Sequence, residues 1–156
     1  MRGVAASLLV AAVVLAHPAL AACPRPGGGD AAASEILNLA NDLRRAQGRP
    51  AVVVSDPLTE AAQAQACFMA ATGRMGHSGQ GGSTIADRAT GAGYRWGFLA
   101  ENVAAGQTAA AQVMASWRGS AAHRQNILNP AARDIGIGIA AGNGRIYWAM
   151  VLGAAR

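Results

Sequence analysis

The run Ile135-Gly136-Ile137-Gly138-Ile139 constrains the fold more than any other stretch of this chain. It alternates cleanly, as a strand does. Gly142-Asn143-Gly144 then has turn chemistry, and Ile146 to Leu152 reads as the return strand, so a C-terminal hairpin is expected. Upstream the periodicity is mostly helical. Ser34 is an expected N-cap with Glu35 in the first turn, and Ile36, Leu37, Leu39, Ala40 and Leu43 mark one apolar face before Gly48 and Pro50. Val52-Val53-Val54 is too short to classify. Asp56 as N-cap and Pro57 at the first helical position start a second helix, Leu58 to Ala71, stopped by Gly73. Ile85 to Ala89 suits a short helix. Thr108 is the expected cap of a third long one through Val113, Met114 and Trp117, and Ser120 to Leu128 suits one or two further turns. Phe98 to Ala104 reads as a short buried strand with Glu101 inside it. Helices and a hairpin around a small sheet indicate the α+β class.

The N-terminus reads as an export signal. Arg2 precedes an almost unbroken apolar run, Val4 to Ala16, and Ala19-Leu20-Ala21-Ala22 offers the small residues that signal peptidases accept. The run is too short for a permanent membrane span, and no transmembrane segment is expected elsewhere. Residues 1–22 are thus the expected leader, 23–33 a Pro/Gly/Ala-rich arm or linker, and 34–156 one domain. Cys23 and Cys67 would then meet an oxidising compartment, where a disulfide is the simple reading. Leu20-Ala21-Ala22-Cys23 also fits the bacterial lipoprotein pattern, so a lipid anchor at Cys23 stands as the alternative. Export implies a secreted or periplasmic protein.

All thirteen basic residues are arginine, and the whole chain carries a net charge of +5. Apart from Arg44-Arg45 they are scattered and do not alternate with aromatics, which gives nucleic-acid binding little support. Oligomeric state is unreadable, with a monomer as the default.

Past the leader the chain holds two histidines, His77 and His123. Two imidazoles and a carboxylate can hold zinc or another divalent ion, with Glu101 as a ligand or as a partner behind one, or work as acid and base. A buried carboxylate in an apolar strand must be paired or hydrogen-bonded. Neither a Gly-x-Ser-x-Gly elbow nor a His-Glu-x-x-His pair occurs, so a hydrolase is the weaker alternative. In a metal version Glu101 would act as base on a zinc-bound water; in a nucleophile version Ser78 or Ser120 would pair with a histidine.

The local settings of these residues, in order, are Gly76-His77-Ser78, Ala100-Glu101-Asn102, and Trp117 followed by Ser120, His123, Arg124, Asn126, Ile127 and Leu128. With Asn38 to Pro50, Asp56-Pro57-Leu58, Ile135 to Gly138 and Tyr147-Trp148, they resemble the CAP superfamily (cysteine-rich secretory proteins, antigen 5, pathogenesis-related 1) in its bacterial secreted form. The resemblance spans roughly residues 34–153. It implies a three-layer α-β-α sandwich with a small central antiparallel sheet. It also implies a cleft where His77, Glu101 and His123 meet, lined by Ser78, Asn102, Trp117, Ser120 and Asn126. Ser120 stands where animal and plant members usually carry a second Glu, which removes one carboxylate. Family members are mostly known for binding and signalling. The resemblance therefore implies a secreted binding module for a divalent ion and a lipid, glycan or cell-envelope component. A third reading makes the polar cluster purely structural.

Overall fold

The structure is a computed structural model and describes residues 23–156. The expected leader, residues 1–22, lies outside the described residues. Ten elements follow: helix α1 (Gly29–Ala46), strand β1 (Val53–Val54), α2 (Asp56–Thr72), a 3-10 turn (Gln80–Gly82), α3 (Ile85–Gly91), β2 (Trp96–Ala105), α4 (Ala110–Gly119), α5 (Ala121–Ile127), β3 (Asp134–Gly142) and β4 (Arg145–Ala155). The strands form one sheet in the order β1-β3-β4-β2. β2, β4 and β3 are antiparallel, while two-residue β1 runs parallel to β3, so the expected all-antiparallel sheet is mixed at one edge.

The hairpin shows why the alternation matters. Ile135, Ile137 and Ile139 face one side of the sheet, together with Trp148, Met150 and Leu152 from β4. They join Ile36 and Ala40 of α1, Val113, Met114 and Trp117 of α4 and Ile127 of α5 in one core. The opposite face carries Ala140, Tyr147, Ala149 and Val151, which pack with α2 and with Ala89 of α3 in a second core. Helices therefore cover both faces, giving the three layers expected from the resemblance.

On the second face the glycines of β3 decide the spacing. A Cβ on Gly136 would lie 2.0 Å from the Leu58 carbonyl carbon, and one on Gly138 would lie 2.2 Å from the Ala62 oxygen. The contacting face of α2 is Leu58, Ala61, Ala62, Ala66 and Ala70, mostly side chains too short to hold the helix away. Helix and strand backbones therefore touch, which sets how far polar residues of α2 reach past the sheet.

Three capping expectations need correction. α1 begins at Gly29, not after Ser34, because Asp30 and three alanines continue the helix backward. Ser34 instead donates its hydroxyl to the Asp30 carbonyl at 3.0 Å. Half of the expected arm is thus helical. Ser55, not Asp56, is the residue before α2, so Asp56 and Pro57 fill its first two positions; Gly73 ends it in the left-handed conformation, as expected. Thr108 does not cap α4; its backbone N–H and hydroxyl both donate to Gln112 Oε1, at 3.0 and 3.2 Å.

Cys23 and Cys67 form a disulfide, which occupies the sulfur that lipidation of Cys23 would need. The strap it anchors lies against the outer edge of β3. Arg25 donates to the Ile137 carbonyl, and the Gln63 amide both donates to the Ile139 carbonyl at 2.9 Å and accepts its N–H at 3.0 Å. Side chains thus supply the pairing that a neighbouring strand would otherwise make.

Candidate functional site

Strand β2 lies at the sheet edge, and its alternation sends Glu101 toward the α2–α3 layer and Asn102 toward α5. The Glu101 side chain is 3% exposed and has two partners. Its Oε1 lies 2.9 Å from His77 Nδ1 and its Oε2 accepts from Arg88 Nη2 at 2.5 Å. His77 is open to solvent, with its side chain 62% exposed, whereas the Arg88 guanidinium is 6% exposed. The carboxylate thus joins a buried cation to a solvent-facing imidazole.

The backbone of the His77 loop is held from below. Gln65, fully buried on α2, donates to the Gly76 and Ser78 carbonyls at 2.6 and 3.3 Å, on either side of His77. Arg88 Nη1 donates to the carbonyls of His77 and Ser83 at 3.2 and 2.9 Å. A Cβ on Gly79 would sit 2.6 Å from Ser83 Oγ and 2.9 Å from Gln65 Oε1, so these polar groups crowd onto a bare α-carbon.

His123 arrives from the other layer, half-buried on α5. Asn102 Nδ2 donates to the His123 carbonyl at 3.1 Å. Asn126 Nδ2 donates to Asn102 Oδ1 at 2.8 Å and to the Glu101 carbonyl at 3.2 Å. The two asparagines therefore fix α5 against the strand that carries Glu101. Burial, and then the neighbouring His77, pull the His123 imidazole below its ordinary pKa of 6.5.

An imidazole whose folded-state pKa lies below its unfolded value binds its proton more readily in the unfolded chain. Stability carried by neutral His123 is complete above about pH 6.5 and is lost as the pH falls below it. Urea midpoints measured between pH 7.5 and pH 5 are expected to drop in the wild type and to drop less in His123→Gln. Identical pH dependence in the two proteins would contradict this.

The structure therefore joins His77 to Glu101 and sets His123 nearby. It does not make the three a ligand set. Among the described residues, no three His, Cys, Asp or Glu side chains are grouped so as to hold a metal ion. Both Glu101 oxygens are engaged and the group is buried, which suits the second of its two expected roles, a partner behind a ligand. Ser78 is exposed and Ser120 joins α4 to α5, and neither hydroxyl is hydrogen-bonded to a histidine among the described residues. Trp117 belongs to the core, with its indole N–H on the Val103 carbonyl at 3.2 Å, so it is not cleft wall. Tyr94 is likewise structural, buried with its hydroxyl on Asp134; burial and then that carboxylate push its pKa up.

Arg88 and Gln65 were not singled out from the sequence. That Glu101 must be paired or hydrogen-bonded was readable, but nothing in the sequence indicated by which residue.

The model of the Cysteine-rich secretory protein family (CAP) matches residues 37–152. YkwD of Bacillus subtilis is 28% identical over 113 residues, 72% of this chain and 44% of the relative, so this chain spans less than half the length of that protein. An extracellular protein from Bacillus anthracis containing an SCP domain superposes with a TM-score of 0.71 at 19% identity, over 80% of this chain and 40% of that one. An outer surface protein of Borrelia burgdorferi superposes at 0.77 with 16% identity, over 86% and 99% of the two chains. NaASP2, solved with Zn2+, gives 0.62 at 16% identity, over 86% and 85%. At these identities the solved structures speak for the fold alone.

Proposed function

Because the chain belongs to the cysteine-rich secretory protein (CAP) family, we propose that it is an exported binding module whose cleft presents His77 and His123 to a divalent ion such as zinc. Glu101 stands behind His77 in this reading, as support and not as ligand. Among the structural relatives are an extracellular protein and an outer surface protein, and no helix among the described residues is long and apolar enough to cross a membrane. A secreted or periplasmic location is part of the proposal. So is a lipid, glycan or envelope component as the wider ligand.

The observation that carries the reading is the pairing of a nearly buried carboxylate with Nδ1 of an exposed histidine. A carboxylate in that position selects the tautomer with the proton on Nδ1 and leaves the Nε2 lone pair on the far side of the ring for a metal. The donor set fits a divalent ion as two neutral imidazoles, with the remaining positions left to water or ligand. NaASP2, which shares the fold, was solved with Zn2+. What such an ion supplies when bound is Lewis acidity and an open coordination position. Arg88 and Gln65 hold the His77 loop, and Asn102 and Asn126 hold α5.

Binding requires neutral imidazoles, so it weakens as the pH falls. Zinc at a hundredfold excess over its Kd stabilises a folded state by about 2.7 kcal/mol, or roughly 8 °C in Tm for a domain of this size. That rise is expected at pH 7.5 and is expected to vanish near pH 5. A folded protein whose Tm ignores zinc at pH 7.5 would overturn the metal reading. The purely structural reading of the cluster would gain if Glu101→Gln lowered Tm without changing the response to zinc.

A further inference from the structure

We infer that a recess at the start of β2, built on Trp96 and framed by Arg95 and Arg156, binds an oxyanion: a carboxylate or phosphate group carried by a small unit such as an acidic sugar. The site is separate from the His77 cleft and needs no metal. Glu101 is five residues further along β2, roughly 16 Å away at the rise of a strand.

One irregularity of the sheet makes the recess. Trp96 and Phe98 are two residues apart, so in a regular strand both would face the same side. The register of β2 against β4 shifts between them, and the two rings part. Phe98 packs with the core under α1 and α4, and Trp96 with the core under α2 and α3. The indole then meets the end of α3, where its N–H donates to Thr90 Oγ1 at 3.1 Å. The recess beside it has a volume of about 290 Å³ and is lined by Thr90, Gly93, Tyr94, Arg95, Trp96 and Arg156. That volume is near the lower bound of small-molecule sites and suits one sugar-sized unit.

Arg156 is held in place. Its backbone N–H donates to the Arg95 carbonyl at 2.9 Å and its Nε donates to the Trp96 carbonyl at 2.8 Å. Its guanidinium lies over the Trp96 ring, 5.9 Å from the centroid. The stacking and the Nε bond fix the plane of the fork and leave its two Nη groups for a ligand. The charge here is also uncompensated. Arg25 lines a recess beside Asp30 and Asp56, and Arg118 lines another beside Asp42. No acid lines the recess at Trp96, and among the described residues no carboxylate is in ion-pair range of Arg95 or Arg156. Asp134, behind Tyr94, accepts from the Tyr94 hydroxyl. Two guanidiniums, one of them fixed on an indole, match the bidentate demand of a carboxylate or phosphate. Thr90 Oγ1 accepts from the indole and keeps its own proton to donate.

Arginines on a surface attract any anion by charge, so the test separates charge from geometry. The 15N-labelled protein, stripped of metal on a chelating resin, is followed by NMR at the Arg156 Nε–H and Trp96 Nε1–H signals. It is titrated with sodium glucuronate, sodium phosphate and uncharged glucose at an ionic strength of about 0.1 M, which fixes the screening. Both signals are expected to shift saturably with an anion, at a Kd of about 1 mM for a ligand of that size, and to ignore glucose. Arg156→Gln is expected to weaken binding about tenfold, read at Trp96, and Arg95→Gln to act in the same direction. Arg156→Lys keeps the charge but loses the fork, and is expected to recover little. Arg118→Gln is expected to bind as the wild type does. A dispersed spectrum shows that each variant is folded. A response to glucuronate alone assigns a carboxylate, to phosphate alone a phosphate group, and to both an oxyanion of either kind. No saturable shift with either anion overturns the inference. So does Arg156→Lys binding as tightly as wild type, or Arg118→Gln weakening binding as much as Arg156→Gln, because charge alone then accounts for the affinity. With metal absent throughout, either result leaves the metal reading of the His77 cleft untouched.

Discussion

Gly138→Val is expected to yield no folded protein, and Gly138→Ala to lose at least about 3 kcal/mol, the upper end of what overpacking costs. The reason is the backbone-to-backbone approach of α2 to β3. A methyl on Gly138 would lie 2.2 Å from the Ala62 oxygen and 2.5 Å from the Gln63 nitrogen, atoms of a helix backbone that cannot rotate away. The helix must lift off the sheet, which breaks the packing of Leu58, Ala62, Ala66 and Met69. It also drags Gln65 from the carbonyls beside His77 and Gln63 from Ile139. Gly91→Ala is the matched control, because a Cβ there meets nothing within 4 Å at the end of α3. Urea denaturation of both variants checks this: Gly91→Ala is expected within a few tenths of a kcal/mol of wild type. A Gly138→Ala midpoint equally close to wild type would show that α2 does not rest on the β3 backbone.

Arg44→Met is expected to cost about 4 kcal/mol, a large effect for a residue far in sequence from the cleft. Arg44 is fully buried on α1 and has no carboxylate partner among the described residues. Its guanidinium donates to four carbonyls: Pro50 at 2.8 Å, Ile127 at 2.7 Å, Asn129 at 3.0 Å and Ala132 at 3.1 Å. Burial, followed by the charges of Arg133 and Arg49, lowers its pKa. Methionine fills much of the volume and leaves the carbonyls unanswered. Lysine keeps the charge but cannot reach four acceptors in a fork, so Arg44→Lys should retain only part of the stability. Three of the carbonyls lie at or beyond the end of α5, the helix of His123, so loosening there is expected to weaken metal binding as well. Chemical denaturation of the three proteins decides: a stable Arg44→Met would mean that water or neighbouring groups satisfy those carbonyls.

Much of the fold was legible because it is written as alternation and period. The isoleucines of β3 and the apolar stripe of α1 announced their faces. Caps were read less well, since Ser34 and Thr108 are capping residue types whose neighbours won: alanines extended α1 past Ser34, and Gln112 captured Thr108. The two-residue β1 lies below the length at which any pattern exists. In the site, His77, Glu101 and His123 were found by their settings in the chain, and the need for a partner to Glu101 followed from placing a carboxylate in an apolar strand. That the partner is Arg88 depends on how α3 packs against β2. That Gln65 braces the loop depends on the close approach of α2. Both are tertiary facts with no local signature. Donor types alone left Glu101 open as a ligand or as a partner behind one, and its burial with two bonded oxygens favours the second.

The central claim is that His77 and His123 together hold a divalent ion with Glu101 behind them. Zinc titration by calorimetry at pH 7.5, on the wild type beside His77→Ala/His123→Ala, tests it most directly. A saturable one-to-one isotherm in the wild type, absent from a variant that remains folded, is the predicted result. An isotherm unchanged in the variant, or no saturable heat in the folded wild type, would contradict it.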